Sequence, residues 1–279
     1  IVSFNEAVPL TPVIEKAMQE GIPVVLVDRK TSTSKYTAFV GADNFQIGKE
    51  VGVYTANLLN GKGNVVEIRG LKGSTPDMER HEGFISVIKN YPDIKIVYEN
   101  DGGWLRSQAR EKMTEALQKN PTIDLVFAHN DEMATGAHEA ISVASGIKKP
   151  VILGIDALPG TEGGIQKVIK GTIDATFIYP TGGEKAVQTA IRILKKEPYD
   201  RENILFTAVV DNTNARVLKL QTDQIIQHQN RIGQLNTVLD QNLAQYSAQR
   251  ILLYFSLVVL FVILMLLILL FRSYRHKNK

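Results

Sequence analysis

Residues 123–137 read IDLVFAHNDEMATGA. Apart from Asp124 the first six are apolar, with no polar alternation, the pattern of a strand covered on both faces. His129-Asn130-Asp131 then interrupts it, and a stretch rich in alanine and small residues follows. Strand, polar turn and helix in 15 residues make one half of a β-α-β unit, with polar side chains at the strand's carboxyl end.

The same alternation extends in both directions. Strands are expected at PVVLVD (23–28), TAFVG (37–41), NVVEIR (64–69), IKIVYE (94–99), VILGID (151–156), IDATFIY (173–179) and LFTAVV (205–210). Helical stretches fill the gaps. Thr75 reads as an N-cap with Pro76 as first helical residue and Asp77 in the first turn. Ala109, Met113, Ala116 and Leu117 form one buried helical face, and Gly171 ends a helix begun near Thr161. This succession predicts an α/β fold with doubly wound parallel sheets and right-handed crossovers.

Ligands of such sheets sit beyond the carboxyl ends of the strands. The polar residues there are Asp28 and Arg29, Asn130, Asp156 and Tyr179. Arg80 lies on the helix after strand 64–69, and Trp104 in the loop after strand 94–99. Carboxylates accept from hydroxyls, asparagine both accepts and donates, arginine donates a planar fork, and an exposed indole in that loop can stack on a sugar ring. Asn5 and Glu6 are placed at the rim of the same cleft. A small polar ligand, most simply a sugar, fits this set.

Other chemistries find less support. Net charge is +3, and no basic block with interleaved aromatics points to nucleic acid. There is no cysteine, hence no thiolate metal site. His81, His129 and His138 stand in separate contexts, without the spacing of a zinc or iron site, so no metal or cofactor is expected. Gly61-Lys62-Gly63 and Gly163-Gly164 read as turn and helix-start glycines, not a phosphate loop. No nucleophile elbow is present, and no catalytic residue is assigned.

The C-terminal part has a different character. Residues 251–271, ILLYFSLVVLFVILMLLILLF, hold no charge, proline or glycine over 21 positions. That is the length of a single bilayer-spanning helix. Arg272, Arg275, Lys277 and Lys279 follow it, whereas residues 231–250 hold only Arg231 and Arg250 as positive charges. The bias places the C-terminus in the cytoplasm and the large domain outside.

Before the span, Leu218, Ile225, Ile232, Leu239 and Tyr246 recur every seven residues, in phase with Leu253, Leu260 and Leu267. A second row, Gln221, His228, Leu235, Asn242 and Gln249, is mostly polar. The 3.5-residue period predicts a paired coiled-coil stalk, hence a homodimer, whose polar row fixes register. The alternative is an amphipathic helix packed on its own domain.

The words VVLVDR (24–29), FVGADN (39–44), MERHEGF (78–84), AHNDEMATGA (128–137), LGIDALPG (153–160) and DATFIYPTGG (174–183) together resemble the type 1 periplasmic binding proteins of the ribose-binding class. The resemblance covers roughly residues 1–212. It implies two α/β lobes joined by three crossing strands and closing on a sugar. It assigns ligand contacts to Asp28 and Arg29 in the first lobe and to Arg80, Asn130 and Asp156 in the second. Trp104 falls at an aromatic lid, and Tyr179 where ribose binders carry glutamine.

The start SFNEAVPLTPVIEKA resembles the family's third strand loop and its following helix. The first β-α-β-α is then expected to be missing, and the chain to be part of a longer protein. The implied division is 1–43 with 180–204 as a partial N-terminal lobe, and 44–179 as a C-terminal lobe. Residues 205–213 form the last crossing strand, 214–250 the stalk, 251–271 the span and 272–279 a basic tail. A binding domain, a stalk and one span in this order resemble the sensor half of membrane-bound hybrid two-component histidine kinases of gut Bacteroidetes. The expected function is sugar sensing across the inner membrane; the alternative is a membrane-anchored binding protein of a sugar transporter.

Overall fold

A computed structural model describes residues 1–120 and 122–277. The last two residues of the basic tail, Asn278 and Lys279, lie outside the described residues. The chain divides into two units, residues 1–221 and 222–279.

The elements of the first unit follow in order: α1 (Ala7–Gln19), β1 (Val25–Val27), β2 (Ala38–Ala42), α2 (Asn44–Leu58), β3 (Lys62–Arg69), α3 (Thr75–Ile88) and β4 (Asp93–Asp101). Then come α4 (Arg106–Lys119), β5 (Leu125–Ala128), α5 (Asp131–Val143), β6 (Val151–Asp156), α6 (Gly164–Lys170), β7 (Ala175–Ile178), α7 (Gly183–Leu194), β8 (Glu202–Leu205) and β9 (Val209–Asp211). A last helix, α8 (Ala215–Lys277), begins in this unit and makes up the second.

The strands form two sheets. One has the order β1-β2-β8 and is parallel throughout. The other has the order β4-β3-β5-β6-β7-β9, parallel except for the β7–β9 pair. The chain passes between the sheets three times: from Ala42 to Lys62, from Ile178 to Glu202, and from Leu205 to Val209.

Successive strand residues point to opposite faces. Val66, Ile68, Val126, Ala128 and Ile152 pack with residues of α4, α5 and α6. Val65, Leu125, Phe127, Leu153 and Phe177 pack with residues of α2 and α3. Burial on both faces accounts for the unbroken apolar runs in the sequence. In the smaller sheet, Leu26 and Phe39 pack with Ile14 of α1, and Val25, Ala38 and Val40 with Ala186 of α7.

Helices α2 and α3 touch backbone to backbone. A Cβ at Gly48 would lie 2.1 Å from the Arg80 carbonyl oxygen, and one at Gly83 would lie 2.1 Å from that of Phe45. Only glycine permits this approach, and it fixes the helix that carries Arg80.

Three local expectations are corrected. The N-cap of α3 is Ser74, with Thr75 inside the helix. Thr75 Oγ1 accepts a hydrogen bond from the Lys30 backbone N–H at 3.3 Å instead of capping its own helix. Pro76 costs nothing one position later, because the first helical N–H groups lack intrahelical partners anyway. The helix expected from Thr161 starts at Gly164, although Gly171 closes it with φ 71° as anticipated. LFTAVV is not one strand. Leu205 ends β8 in the smaller sheet, Val209 starts β9 in the larger, and Phe206 between them is 79% exposed.

Helix α8 runs unbroken for 63 residues. Its mean hydropathy reaches 3.2 over the best window, so by length and composition it is a candidate membrane span. Its first turn is anchored: Ala215 is buried in the core of the first unit, and Leu218 packs against the same cluster. Leu218, the first member of the heptad row, therefore serves the domain. Ile225, Ile232, Leu239 and Tyr246 are exposed.

Candidate functional site

The carboxyl ends of strands from both sheets converge on one cavity of about 650 Å³. Asp28 and Arg29 reach it from the end of β1 in the smaller sheet. Asn130 follows β5, Asp156 ends β6, and Tyr179 follows β7, all in the larger sheet. Arg80 comes from α3 and Trp104 from the loop between β4 and α4. Asn5 also lines the cavity; Glu6 is the N-cap of α1 and is not among the lining residues.

Sequence reasoning passed over Ser3, Leu71, Pro76, Gly103, Leu158 and Thr181, which also line it. Leu158 and Thr181 sit inside two of the quoted words, LGIDALPG and DATFIYPTGG, so position alone could have flagged them. Leu71 carries no chemical signal; it lies in the β3–α3 loop at the carboxyl end of β3.

The polar groups hold one another in place. Tyr179 donates its hydroxyl to Asp28 Oδ1 at 2.6 Å, with the Asp28 carbonyl at 2.9 Å. Burial and the Asp28 charge push the Tyr179 phenol well up, so it stays a donor. Arg29 Nε pairs with Asp28 Oδ2 at 3.2 Å, and its Nη1 donates to the Asn5 carbonyl at 2.8 Å. Arg80 is buried; its Nε donates to Asn44 Oδ1 at 2.9 Å and its Nη1 to the His129 carbonyl. Asn130 caps α5, accepting from the Met133 N–H at 2.7 Å.

Trp104 is not the exposed indole expected from its loop. It is partly buried against the core, at φ 67°, and a Cβ on Gly70 would lie 2.0 Å from its ring. The guanidinium groups of Arg29 and Arg80 stand 5.8 and 5.5 Å from the ring centroid, within cation–π range. Arg80 also stands 4.8 Å from the Tyr179 ring. The two aromatics and two arginines thus form one stacked wall.

Backbone strain gathers at the same place. Asp28, Trp104, Asp156 and Ala157 all have positive φ. Such conformations cost of order 1–3 kcal/mol each and persist where surrounding structure holds them.

Behind Asp156 lies Asp131, whose Oδ2 accepts from the Ala157 N–H at 2.9 Å. A Cβ on Gly164 would lie 1.8 Å from that oxygen, and one on Gly154 would lie 2.3 Å from Oδ1. Glycine at position 154 within VILGID and at position 164, the first residue of α6, is therefore required by the carboxyl group. Burial, and then the Asp156 charge, raise the Asp131 pKa; burial also raises that of Asp156, with Arg80 opposing.

Away from the cavity, the structure places His81 and His129 on one carboxylate. Glu67 is fully buried on β3, with His81 Nδ1 at 3.0 Å and His129 Nε2 at 2.9 Å. Glu67 escaped notice in the sequence because it sits within the apolar run NVVEIR.

A cavity lined by two carboxylates, two guanidinium groups, two amides and two aromatics matches a compact polyol. Comparison with known proteins agrees with that chemistry. Residues 1–198 match the model of the periplasmic binding protein domain. The galactofuranose-binding protein YtfQ of Escherichia coli is 38% identical over 170 residues, which are 58% of this chain and 52% of that protein. The ribose import binding protein RbsB of E. coli is 31% identical over 186 residues, covering 66% of this chain and 61% of that protein. The chain thus spans about half of the former's length.

Among solved structures, the fructose-binding periplasmic domain of the hybrid two-component system BT1754 superposes with a TM-score of 0.81 at 51% identity. It covers 83% of this chain and 77% of that one. A galactofuranose-binding protein gives a TM-score of 0.72 at 28% identity over 78% of this chain and 77% of that one. With its two largely parallel sheets, a cavity at their carboxyl ends and the family match over residues 1–198, the chain belongs to the periplasmic binding protein domain family and has the type 1 fold.

Proposed function

We propose that this chain is the extracytoplasmic sensor of a transmembrane signalling receptor, and that its ligand is a monosaccharide in the five-membered ring form. Asp28, Arg29, Arg80, Trp104, Asn130, Asp156 and Tyr179 are the proposed contacts. The observation that carries the reading is their convergence, from two sheets, on one cavity of about 650 Å³. Ring size is suggested by the relatives: the galactofuranose-binding YtfQ and structures bound to fucofuranose and arabinofuranose.

In this reading residues 1–43 with 180–204 form one lobe and 44–179 the other. Sugar binds the closed arrangement more tightly than the open one, and that difference alone drives the switch. Helix α8 supports signalling because it is anchored by Ala215 and continues without a break into the apolar segment. Paired stalks would pass closure through the inner membrane to a cytoplasmic output such as a histidine kinase, with the basic tail on the cytoplasmic side. The likeness to a hybrid two-component sensor domain favours this output. The import binding proteins among the relatives favour a second reading, a membrane-anchored solute receptor for a sugar transporter.

Isothermal titration of the full chain in detergent with D-fructose, D-ribose, L-arabinose and D-galactose tests the ligand class. Saturable micromolar binding of at least one is expected, and a panel without a binder would refute the sugar reading. Titration of phosphotransfer in the complete membrane protein separates the outputs: a sugar-dependent change supports signalling, and its absence supports the anchored receptor.

A further inference from the structure

A cluster of charged groups around Glu67 lies outside the cavity. Glu67, in the middle of β3, is fully buried between His81 and His129. Arg69, two residues further on the same strand, pairs with Asp77 at 2.9 Å and with Glu99 of β4 at 2.9 Å. His129 Nδ1 in turn lies 3.4 Å from Asp77 Oδ1.

Its charges do not balance. Glu67, Asp77 and Glu99 contribute three negative charges, and among the described residues Arg69 is the one permanent cation paired with them. With both imidazoles neutral the group carries a net charge of minus two. Buried carboxylates without compensation are costly. Two protons can supply the balance, one on each imidazole. A single divalent ion supplies it equally well.

The geometry admits the ion. One ligand atom each from Glu67, His81 and Glu99 lie within 4.8 Å of one another. Zinc–ligand bonds of ~2.1 Å put tetrahedral ligand atoms ~3.4 Å apart. Glu67 and His81 already meet that at 3.0 Å, so only Glu99 has to close in, and its side chain is 40% exposed. His81 is 22% exposed, which gives an entry path from solvent.

We infer that Glu67, His81 and Glu99 form a site for a divalent transition-metal ion, zinc foremost. Two carboxylate oxygens and one imidazole nitrogen suit zinc, manganese or iron(II) better than calcium or magnesium, which favour all-oxygen shells. The ion joins β3, β4 and α3, and His81 is the residue after Arg80 on α3. Occupancy therefore stiffens the mounting of a cavity arginine without touching the cavity. A proton on His81 competes for the same position.

The test is titration of Zn²⁺ alone into the full chain in detergent, without an affinity tag, at pH 7.5. One ion per chain is expected to bind saturably, to raise the melting temperature, and to bind at least tenfold more weakly at pH 5.5. Glu99→Gln, at a half-exposed position, is expected to melt like the parent without metal and to bind Zn²⁺ at least tenfold more weakly. His81→Gln is expected to weaken Zn²⁺ binding to the same extent, at a lower melting temperature because Glu67 loses a hydrogen-bond partner. Unchanged affinity in both variants would place the ion elsewhere and overturn the assignment, as would the lack of saturable binding. Mg²⁺ binding as tight as Zn²⁺ would overturn the ion class.

Discussion

The Tyr179 hydroxyl lies 2.6 Å from Asp28 Oδ1, and this bond joins the tip of β7 in the larger sheet to the tip of β1 in the smaller. Asp28 sits at φ 73°, so its carboxylate is aimed by a strained backbone as well as by this bond. Tyr179→Phe keeps the ring against Arg80 and removes only the hydroxyl. Losing one such hydrogen bond costs about 1 kcal/mol, or roughly fivefold in affinity. Calorimetry with the identified sugar is expected to show that loss with little change in melting temperature. An unchanged affinity would mean that Asp28 is oriented without Tyr179.

Arg80 makes a sharper test. Its Nε and Nη1 bond Asn44 and the His129 carbonyl in one plane, while its face lies 4.8 Å from the Tyr179 ring. A lysine ammonium offers neither the fork nor the stacking. Arg80→Lys is expected to weaken sugar binding by about 2–3 kcal/mol, roughly thirtyfold to 150-fold, although charge is conserved. Equal affinity in the variant would remove Arg80 from the set of contacts.

How these residues could be read in advance differs from case to case. Asp28, Asn130 and Asp156 were legible because each stands within two residues of the end of an apolar run, and the fold puts ligands at that edge. Arg80 was legible only through its surrounding word, since nothing in helical periodicity marks it. The exposed indole expected of Trp104 failed because Gly70, 34 positions earlier, makes room for the ring. The division of LFTAVV between two sheets was illegible for a similar reason: apolar content is the same whether a run stays in one sheet or crosses to another. Glu67 was hidden because its partners lie 14 and 62 residues away.

Stability should depend on pH in two opposed ways. Hydrogen bonds from His129 and His81 overcome burial and hold Glu67 down at about 2, against an ordinary 4.5. Its contribution is present above 4.5 and lost as pH falls through 2. The Glu67 carboxylate raises His81 above its ordinary 6.5, so that contribution is complete below 6.5 and lost as pH rises through the raised value. Denaturant unfolding of the metal-free chain is expected to give a maximum between roughly pH 5 and 6.5, with decline on both sides. A flat profile above pH 6.5 would contradict the His81–Glu67 pairing.

Asp131 adds to the alkaline decline. Its pKa is raised by burial and by Asp156, so its favourable term is complete below its ordinary 3.8 and is lost as pH rises through the raised value. Asp131→Asn keeps an acceptor for the Ala157 N–H and cannot ionise. The variant is expected to gain stability over the parent progressively from pH 5 to pH 9. Gly164→Ala, which would set a Cβ 1.8 Å from Asp131 Oδ2, is expected to lose about 1–3 kcal/mol at any pH in that range.

The proposed pairing of stalks is tested along α8. Leu218 packs on the domain core, so the row available to a second chain begins at Ile225. Ile225, Ile232, Leu239 and Tyr246 expose one apolar stripe at the 3.5-residue period, and an isolated helix gains nothing from leaving it in water. Cysteine at Ile225 or Leu239 is expected to form disulfide-linked dimers in membranes under mild oxidation. Cysteine at Asn230, off the stripe, serves as the comparison and is expected to link far less. If closure moves the stalks, sugar changes the rate at Ile225. Equal linking at all three positions would mean random collision and rule out the paired seam; linking confined to the stripe but indifferent to sugar would keep the dimer and remove the switch.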